Sequence, residues 1–555
     1  MLCAQVDGLV RAATAEAELL LDDAGGAFRA RGHRGVMAAA LTAVVVASDA
    51  ASPRAGDPEL VGYAGERIEE LAALQGSGGL FVGGDNLDSP PDSAFTINAA
   101  VTAARLLRSW PGTLGHRLEE VIRAAAPALQ HGGVHTPNHR WELAAALARS
   151  GALLDGPHLL DRAREWLDEG IDVDEDGLYS ERSPNYAARV SNPSLTALAD
   201  VLDRPDLHDI VHRNLHAHLD LTDRDGWVET VQSRRQDQHA PYPLGPFLGQ
   251  LRRAAIHTGC SRCAEGAALA ATGPHVDATE VRADQLLDPA LGGPLPTSAV
   301  SPRPPRRVFR SARLVRETRP GSDITVYGGS DVPAAGRIGS GLACNPTFLR
   351  FRSGAVAIDS VRLSRDFFGL GPFRAADMQV DGDRIVLHET VEAAYYQPLP
   401  ISDRRTDGRY ELGHEGRFAA AMSFARRPQD RRTLVTGIEL QLHDDGVDLT
   451  VTTDGPATAH SLEIALSPGG DLSGATPLGE GRFELVAGSA EYRRDGHVLT
   501  IGPGHGSGAG QPPGYLPGEA YTWTGGTDAV GGTRLYLTWR SPGTTSIRLR
   551  GRTTV

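Results

Sequence analysis

Thr136-Pro137-Asn138-His139-Arg140-Trp141-Glu142 opens a run of apolar residues, Leu143 to Leu154, that repeats with helical spacing. Thr136 reads as an N-cap and Pro137 as the first helical residue, where a missing N–H costs nothing. Asn138, His139, Trp141 and Glu142 crowd the first turn with polar and aromatic groups, a composition that suits a site better than a core. The free N–H groups and positive dipole end of that turn favour a bound anion.

Working outward, residues 1–272 repeat helix after helix, about eleven in antiparallel pairs. Loops rich in Gly, Asp and Pro separate them, notably Gly76–Pro91, Asp172–Gly177 and Asp223–Gly226. This predicts an incomplete α/α toroid. Residues 273–306 hold seven prolines, from Pro274 to Pro305, and read as a linker. From 307 to 555 the period changes from 3.6 to 2, with short strand-like runs and turns such as Asp444-Asp445-Gly446. That pattern predicts an antiparallel β-sandwich. The expected fold class is therefore multidomain α and β, toroid first and sandwich second.

Composition narrows the partners. Hydrophobic content of 41% and charged content of 22% are ordinary for a globular protein. A formal net charge of −14 argues against nucleic acid, because no global basic field offsets phosphate repulsion. The apolar run Ala38–Ser48 is too short to span a bilayer, and Met1–Leu21 lacks the pattern of a signal peptide. The expected location is cytoplasmic, or secreted with a leader absent from this chain; the oligomeric state is open. Cys260-Ser261-Arg262-Cys263 is a lone CxxC with no second pair and no His at finger spacing, and reads as two incidental helix-start thiols. Asp172-Val173-Asp174-Glu175-Asp176-Gly177 matches the first half of a calcium loop, but Ser183 stands where the twelfth-position Glu belongs. No cofactor is expected, and a Ca²⁺ near Asp172, Asp174 and Asp176 is the one cation left open.

Two later stretches look built to meet the α-helix start: Asp176-Gly177-Leu178-Tyr179-Ser180-Glu181-Arg182-Ser183-Pro184-Asn185-Tyr186 and Gln232-Ser233-Arg234-Arg235-Gln236-Asp237. Together they carry what elimination across C4–C5 of a uronic acid requires. A donor must neutralise the carboxylate and hold the developing enolate, for which the Asn138 amide is suited. A base must take the C5 proton and an acid must protonate the leaving oxygen, roles that fit Tyr186 and His139. Arg182, Arg234 or Arg235 would lower the phenol's pKa. Asp85 and Asn86, on the long loop Leu80–Asp92, and the rings of Trp141 and Tyr179 are further candidates for touching sugar. Tandem Tyr395-Tyr396 reads as strand packing.

Adjacent Asn138-His139 at a helix start, Glu142 three residues after the His, and Tyr186 a further 47 residues on (186 − 139) resemble the heparinase II/III-type and oligoalginate lyases. More distantly, Asn138–Glu142 resembles the Asn-Trp-Trp-x-x-Glu run of chondroitin AC and hyaluronate lyases, with Arg234-Arg235 where that group carries its catalytic arginine. The resemblance implies a toroid followed by a sandwich, and an anionic polysaccharide or oligosaccharide as substrate. By it Asn138 neutralises the carboxylate, Tyr186 is the acid and can also be the base, and His139 assists or acts as base. The β half departs from the heparinase pattern: Leu342–Phe351 holds no His-x-Asp. Asn345 stands in that place, or His388 or His414 reaches over. Tyr186 as sole acid and base suits glucuronate or mannuronate, whose H5 and O4 lie on one side. Two other readings stay open: a glycoside hydrolase using two of Asp85, Asp176 and Glu181, and a non-catalytic glycan-binding protein.

Overall fold

A computed structural model of the chain describes residues 2–22, 32–84, 86–296, 305–335, 342–416, 421–506 and 532–553. The chain forms two compact units. The first comprises Met1–Glu229 and Pro241–Arg303, the second Thr230–Ala240 and Pro304–Val555.

The first unit is helical: α1 Leu2–Asp22, α2 Gly32–Ser48, α3 Pro58–Leu74, α4 Pro90–Leu107, α5 Leu114–His131, α6 Pro137–Leu154 and α7 Pro157–Leu167. It continues with α8 Pro184–Tyr186, α9 Asn192–Leu202, α10 Pro205–Leu221, α11 Leu248–Thr258, α12 Ser261–Ala270 and α13 Ala278–Leu287. Sequential helices pack as pairs (α2 on α3, α4 on α5, α6 on α7, α9 on α10, α11 on α12). The first members touch one another in turn, α2 to α4, α4 to α6 and α6 to α9, and α13 returns to α2. That is the ring of an α/α toroid. Outer helices carry an apolar stripe; in α5 it is Leu118, Val121, Ile122, Ala125, Ala126 and Leu129. Inner helices are buried nearly all round and rich in small residues, as in Ala144–Ala148 of α6.

Three boundaries differ from the expectations. Helix α13 lies inside the stretch read as a linker and packs on α1 and α2, because the prolines flank Val276–Asp288 without entering it. Within the helical repeat, Pro184–Leu202 is composite: α8, then a π-turn at Ala187–Ser191, then α9. Pro193 has no N–H to give the preceding turn, so a wider turn takes up the register. Residues 230–240 group with the second unit through their own contacts, given below.

The second unit holds two sheets among its described residues. One runs, edge to edge, Thr476–Gly479, Arg482–Glu484, Thr533–Arg540, Ala459–Leu466, Val356–Arg365, Leu349–Ser353, Ser322–Tyr327, Leu314–Arg319 and Arg306–Phe309. The other runs Asp471–Ser473, Ala490–Arg494, His497–Gly502, Gly543–Thr553, Gly446–Asp454, Gln429–His443, Arg384–Tyr396 and Asp377–Asp381. All neighbours are antiparallel except Arg482–Glu484 beside Thr533–Arg540. Alternate residues of Gln429–His443 point inward (Leu434, Thr436, Ile438, Leu440, Leu442), with Leu387 and Val451 flanking Ile438. Ile438, Leu440 and Leu442 share one core with Leu363, Leu462 and Leu537 of the other sheet, so the unit is a sandwich. Among the strand-like runs expected after 307, residues 417–424 fall partly outside the described residues, and Met422 makes an isolated bridge with Gly413. No helix among the described residues is long and apolar enough to cross a membrane.

Candidate active site

Thr136 occupies the N-cap of α6 in extended conformation, but its side chain does not cap the helix. Its hydroxyl donates to the Asn138 Oδ1 at 2.7 Å instead. Asn138 is 1% exposed. With its oxygen engaged, the amide turns Nδ2 toward a position where no acceptor lies within hydrogen-bond reach. An N–H buried without a partner costs about 1–3 kcal/mol, so this donor at the positive end of α6 is poised for an anion. His139 packs edge-on against Phe95, 5.9 Å between ring centres, and His135, 4.9 Å.

The start of α6 and the Asp172–Tyr179 loop meet at Asp172. Its carboxylate accepts the Trp141 indole N–H at 3.2 Å, pairs with Arg140 at 3.1 Å, and accepts the Ser180 hydroxyl. The Asp174 Oδ1 accepts the N–H groups of Asp176 (3.0 Å) and Leu178 (2.8 Å), closing a turn in which Gly177 takes a φ of 89°. Asp223 closes Asp223–Trp227 the same way, accepting from Asp225 and Trp227. Asp-x-Asp-Gly is thus a turn former in both places; at the candidate Ca²⁺ position the Asp174 Oδ1 accepts from its own loop, while the Asp172 carboxylate is engaged by Trp141, Arg140 and Ser180.

Two aromatic candidates are corrected by burial. Trp141 is 1% exposed, held through its indole N–H, with the Arg140 guanidinium 4.5 Å from its ring centre, so it has no face for a sugar. Tyr179 is buried, and its hydroxyl donates to the Asn192 Oδ1 at 2.6 Å; burial pushes its pKa up. Asn192 passes the network on to Asn214 and Gln250. Tyr186, by contrast, is only partly buried. Ser183 caps its backbone N–H at 3.2 Å, and the π-turn begins at the next residue. With Glu181, Arg182 and His218 it lines a crevice too narrow for water. Burial pushes the His218 imidazole down to about 4, so that ring is neutral at pH 7. Arg182 sits in the left-handed region, φ 51°, as does the exposed Asn86, φ 64°. Asp85 lies outside the described residues.

Glu142 is not a surface contact. It is buried and accepts from Asn98 Nδ2 at 2.8 Å and Ser194 Oγ at 2.9 Å, while burial pushes its carboxyl pKa up against those bonds. It borders a cavity of about 670 Å³ ringed by α2, α4, α6, α9, α11 and α13. Arg105, Arg149, Arg189, Asp200, Asp277, Glu280 and Asp284 also line this lumen. Glu280 is enclosed by the unit but faces the cavity; burial, then the neighbouring Asp277, push it up to about 7. Sequence reading missed the lumen because its charges come from helices far apart in the chain.

In the second unit, Arg234 is clamped by Asp331, Nε to Oδ2 at 2.7 Å and Nη2 to Oδ1 at 3.0 Å. Arg235 follows the turn at Ser233, whose Oγ accepts its N–H at 3.0 Å. Asn345 is 4% exposed and fully used: its Nδ2 donates to the Gln238 carbonyl at 2.6 Å, and its Oδ1 accepts from the Thr347 N–H at 3.0 Å. It is a pin for residues 230–240 rather than a sugar contact, and Gln238, to which Cys344 Sγ also donates at 3.3 Å, is the partner that sequence reading missed. His388 and His414 are exposed in their own unit, and Tyr396 donates to Glu415 at 2.8 Å.

An α/α toroid followed by an antiparallel β-sandwich is a fold found among polysaccharide lyases. One solved structure of this fold is the Streptomyces coelicolor A3 chondroitin AC lyase in complex with chondroitin sulphate. It is 13% identical, with a TM-score of 0.55 over 99% of this chain and 79% of that one. Another is a Paenibacillus xanthan lyase, 11% identical, with a TM-score of 0.55 over 99% of this chain and 57% of that one. At these identities the likeness is one of fold. No family model matches the chain, and no curated protein matches its sequence.

Proposed function

We propose that the protein is a polysaccharide lyase that cleaves a uronate-containing glycan by β-elimination. The observation that carries this reading is the buried Asn138 amide at the start of α6, its oxygen held by Thr136 and its N–H without an acceptor. A substrate carboxylate supplies that acceptor. The bond to Asn138 then strengthens as the C5–H bond breaks and charge moves onto the carboxylate as an enolate, which is where preorganised donors contribute most. Tyr186 takes the C5 proton. The electron pair of that bond forms C4=C5, the C4–O4 bond breaks, and Tyr186 returns the proton to O4. One phenol serves both steps only when H5 and O4 share a face, which favours glucuronate over its C5 epimer. His139 assists at the carboxylate. Within the second unit the clamp to Asp331 fixes Arg234 and offsets part of its charge, so Arg234 and Arg235 are each tested by substitution.

The test is incubation with glucuronan, hyaluronan, heparosan, chondroitin, xanthan and alginate. The product's C4=C5 bond is conjugated to the carboxylate, so ultraviolet absorbance grows with turnover on a glucuronate-bearing member. Saturated reducing ends without that absorbance would instead establish hydrolysis, and binding without either product would establish a glycan-binding protein.

A further inference from the structure

The lone Cys260-x-x-Cys263 pair acquires partners from another helix. His212 and His216 are four residues apart on α10, which brings their rings to one face, 4.5 Å between centres. Cys260 is the N-cap of α12 and Cys263 stands at its third position. One ligand atom from each of the four residues lies within 4.8 Å of all the others. The His216 Nε2 and Cys260 Sγ are already 3.3 Å apart. The His212 Nε2 is buried with no hydrogen-bond partner.

These positions are those of a tetrahedral site before contraction. Zn–S bonds of about 2.3 Å and Zn–N bonds of about 2.0–2.1 Å put ligand atoms about 3.3–3.8 Å apart, within a small side-chain adjustment of what is seen. The soft thiolates and borderline imidazoles select zinc over hard cations such as Ca²⁺. Cys263 N–H donates to the Cys260 Sγ at 3.3 Å, and both residues stand in the first turn of α12; burial pushes the Cys263 thiol's pKa up, a cost that a bound cation offsets. Arg262, between the cysteines, is ion-paired with Asp220 of α10. Two thiolates and two neutral imidazoles cancel the charge of a divalent cation, so a half-buried site carries no net charge.

We propose that His212, His216, Cys260 and Cys263 form a structural Cys₂His₂ zinc site that clips α10 to α12. Four protein ligands leave no open position, so the metal acts on the fold of the toroid and not on the glycan. Binding releases the two thiol protons as the two Zn–S bonds form. None of the four residues borders the lumen or belongs to the elimination site.

The experiment uses the full chain expressed with zinc, purified reduced and desalted. Elemental analysis should find one zinc per chain, an organomercurial should release it as the thiols react, and a strong chelator should lower the Tm. Cobalt exchanged into the site should give the visible bands of tetrahedral Co²⁺ with thiolate charge transfer. The Cys260→Ser/Cys263→Ser double variant should bring the zinc content to background. Should that variant fail to fold, His212→Gln reads the same point, with zinc content falling well below one per chain at unchanged helical circular dichroism. A wild-type chain that carries no zinc and binds no cobalt overturns the proposal. So does zinc retained in full by either variant, or a Cys260–Cys263 disulfide recovered from the reduced preparation.

Discussion

Asn138 and Asn345 are both buried asparagines beside the start of a regular element, and sequence offers both as sugar contacts. Their surroundings separate them. Asn345 spends its amide on the Gln238 carbonyl and its oxygen on the Thr347 N–H. Asn138 spends only its oxygen, on Thr136, and keeps a donor in reserve. Tyr179 and Tyr186 differ in exposure: one phenol closes a buried amide network, the other residue stays partly exposed where a π-turn begins. A polar side chain whose bonds are all satisfied is architecture. One left with an unmet bond is available for a ligand, because a ligand can repay the desolvation that the fold leaves uncompensated.

The sharpest way to break this contrast is Tyr186→Phe. Loss of the acid–base group should cut the rate of ultraviolet-absorbing product by about 10²–10⁴-fold with an unchanged melting curve, whereas Tyr179→Phe should keep turnover and lower stability by about 1 kcal/mol. Equal activity in the two variants would remove the assignment. Next, Asn138→Ala should lower kcat by about 10²–10³-fold at little cost in stability, since the lost N–H has no partner to strand. Asn345→Ala should do the reverse, costing about 1–3 kcal/mol in a urea titration because the Thr347 N–H and Gln238 carbonyl are left behind.

The smallest effect concerns the lumen. Glu280 keeps its proton up to about 7 in the folded chain but releases it near the ordinary 4.5 when unfolded. Between these values the native state binds more protons. Its contribution to stability is therefore full below 4.5 and is lost as the pH rises through about 7. Water in the cavity screens the group, so the slope is shallow. Urea midpoints measured from pH 4 to 8 should flatten in Glu280→Gln; an unaltered profile would assign the slope to another lumen carboxyl.

The sites also differ in how far they were legible. Pro137 at the first turn of α6, the 3.6-residue stripes before Gly273 and the alternation in Gln429–His443 are local, and each was readable because period and turn chemistry act on neighbours in the chain. The Asp-x-Asp-Gly loops were readable only as loops; that the carboxylates of Asp174 and Asp223 accept backbone N–H groups of their own turns depends on φ values and hydrogen bonds. The CxxC pair illustrates the limit most clearly. His212-x-x-x-His216 lies 44 residues before Cys260 (260 − 216), a separation that means nothing until α10 and α12 pack.

Sequence by itself determined the order of the two architectures, the helix start that carries Asn138, and the absence of a global basic field for nucleic acid. Tertiary structure alone decided which buried groups are already satisfied, that residues 230–240 pack with the sandwich unit, and that six inner helices enclose a charged lumen. The division follows from range. Propensity, capping and periodicity act over a few residues, whereas desolvation and hydrogen-bond satisfaction depend on which distant side chains arrive at the same place.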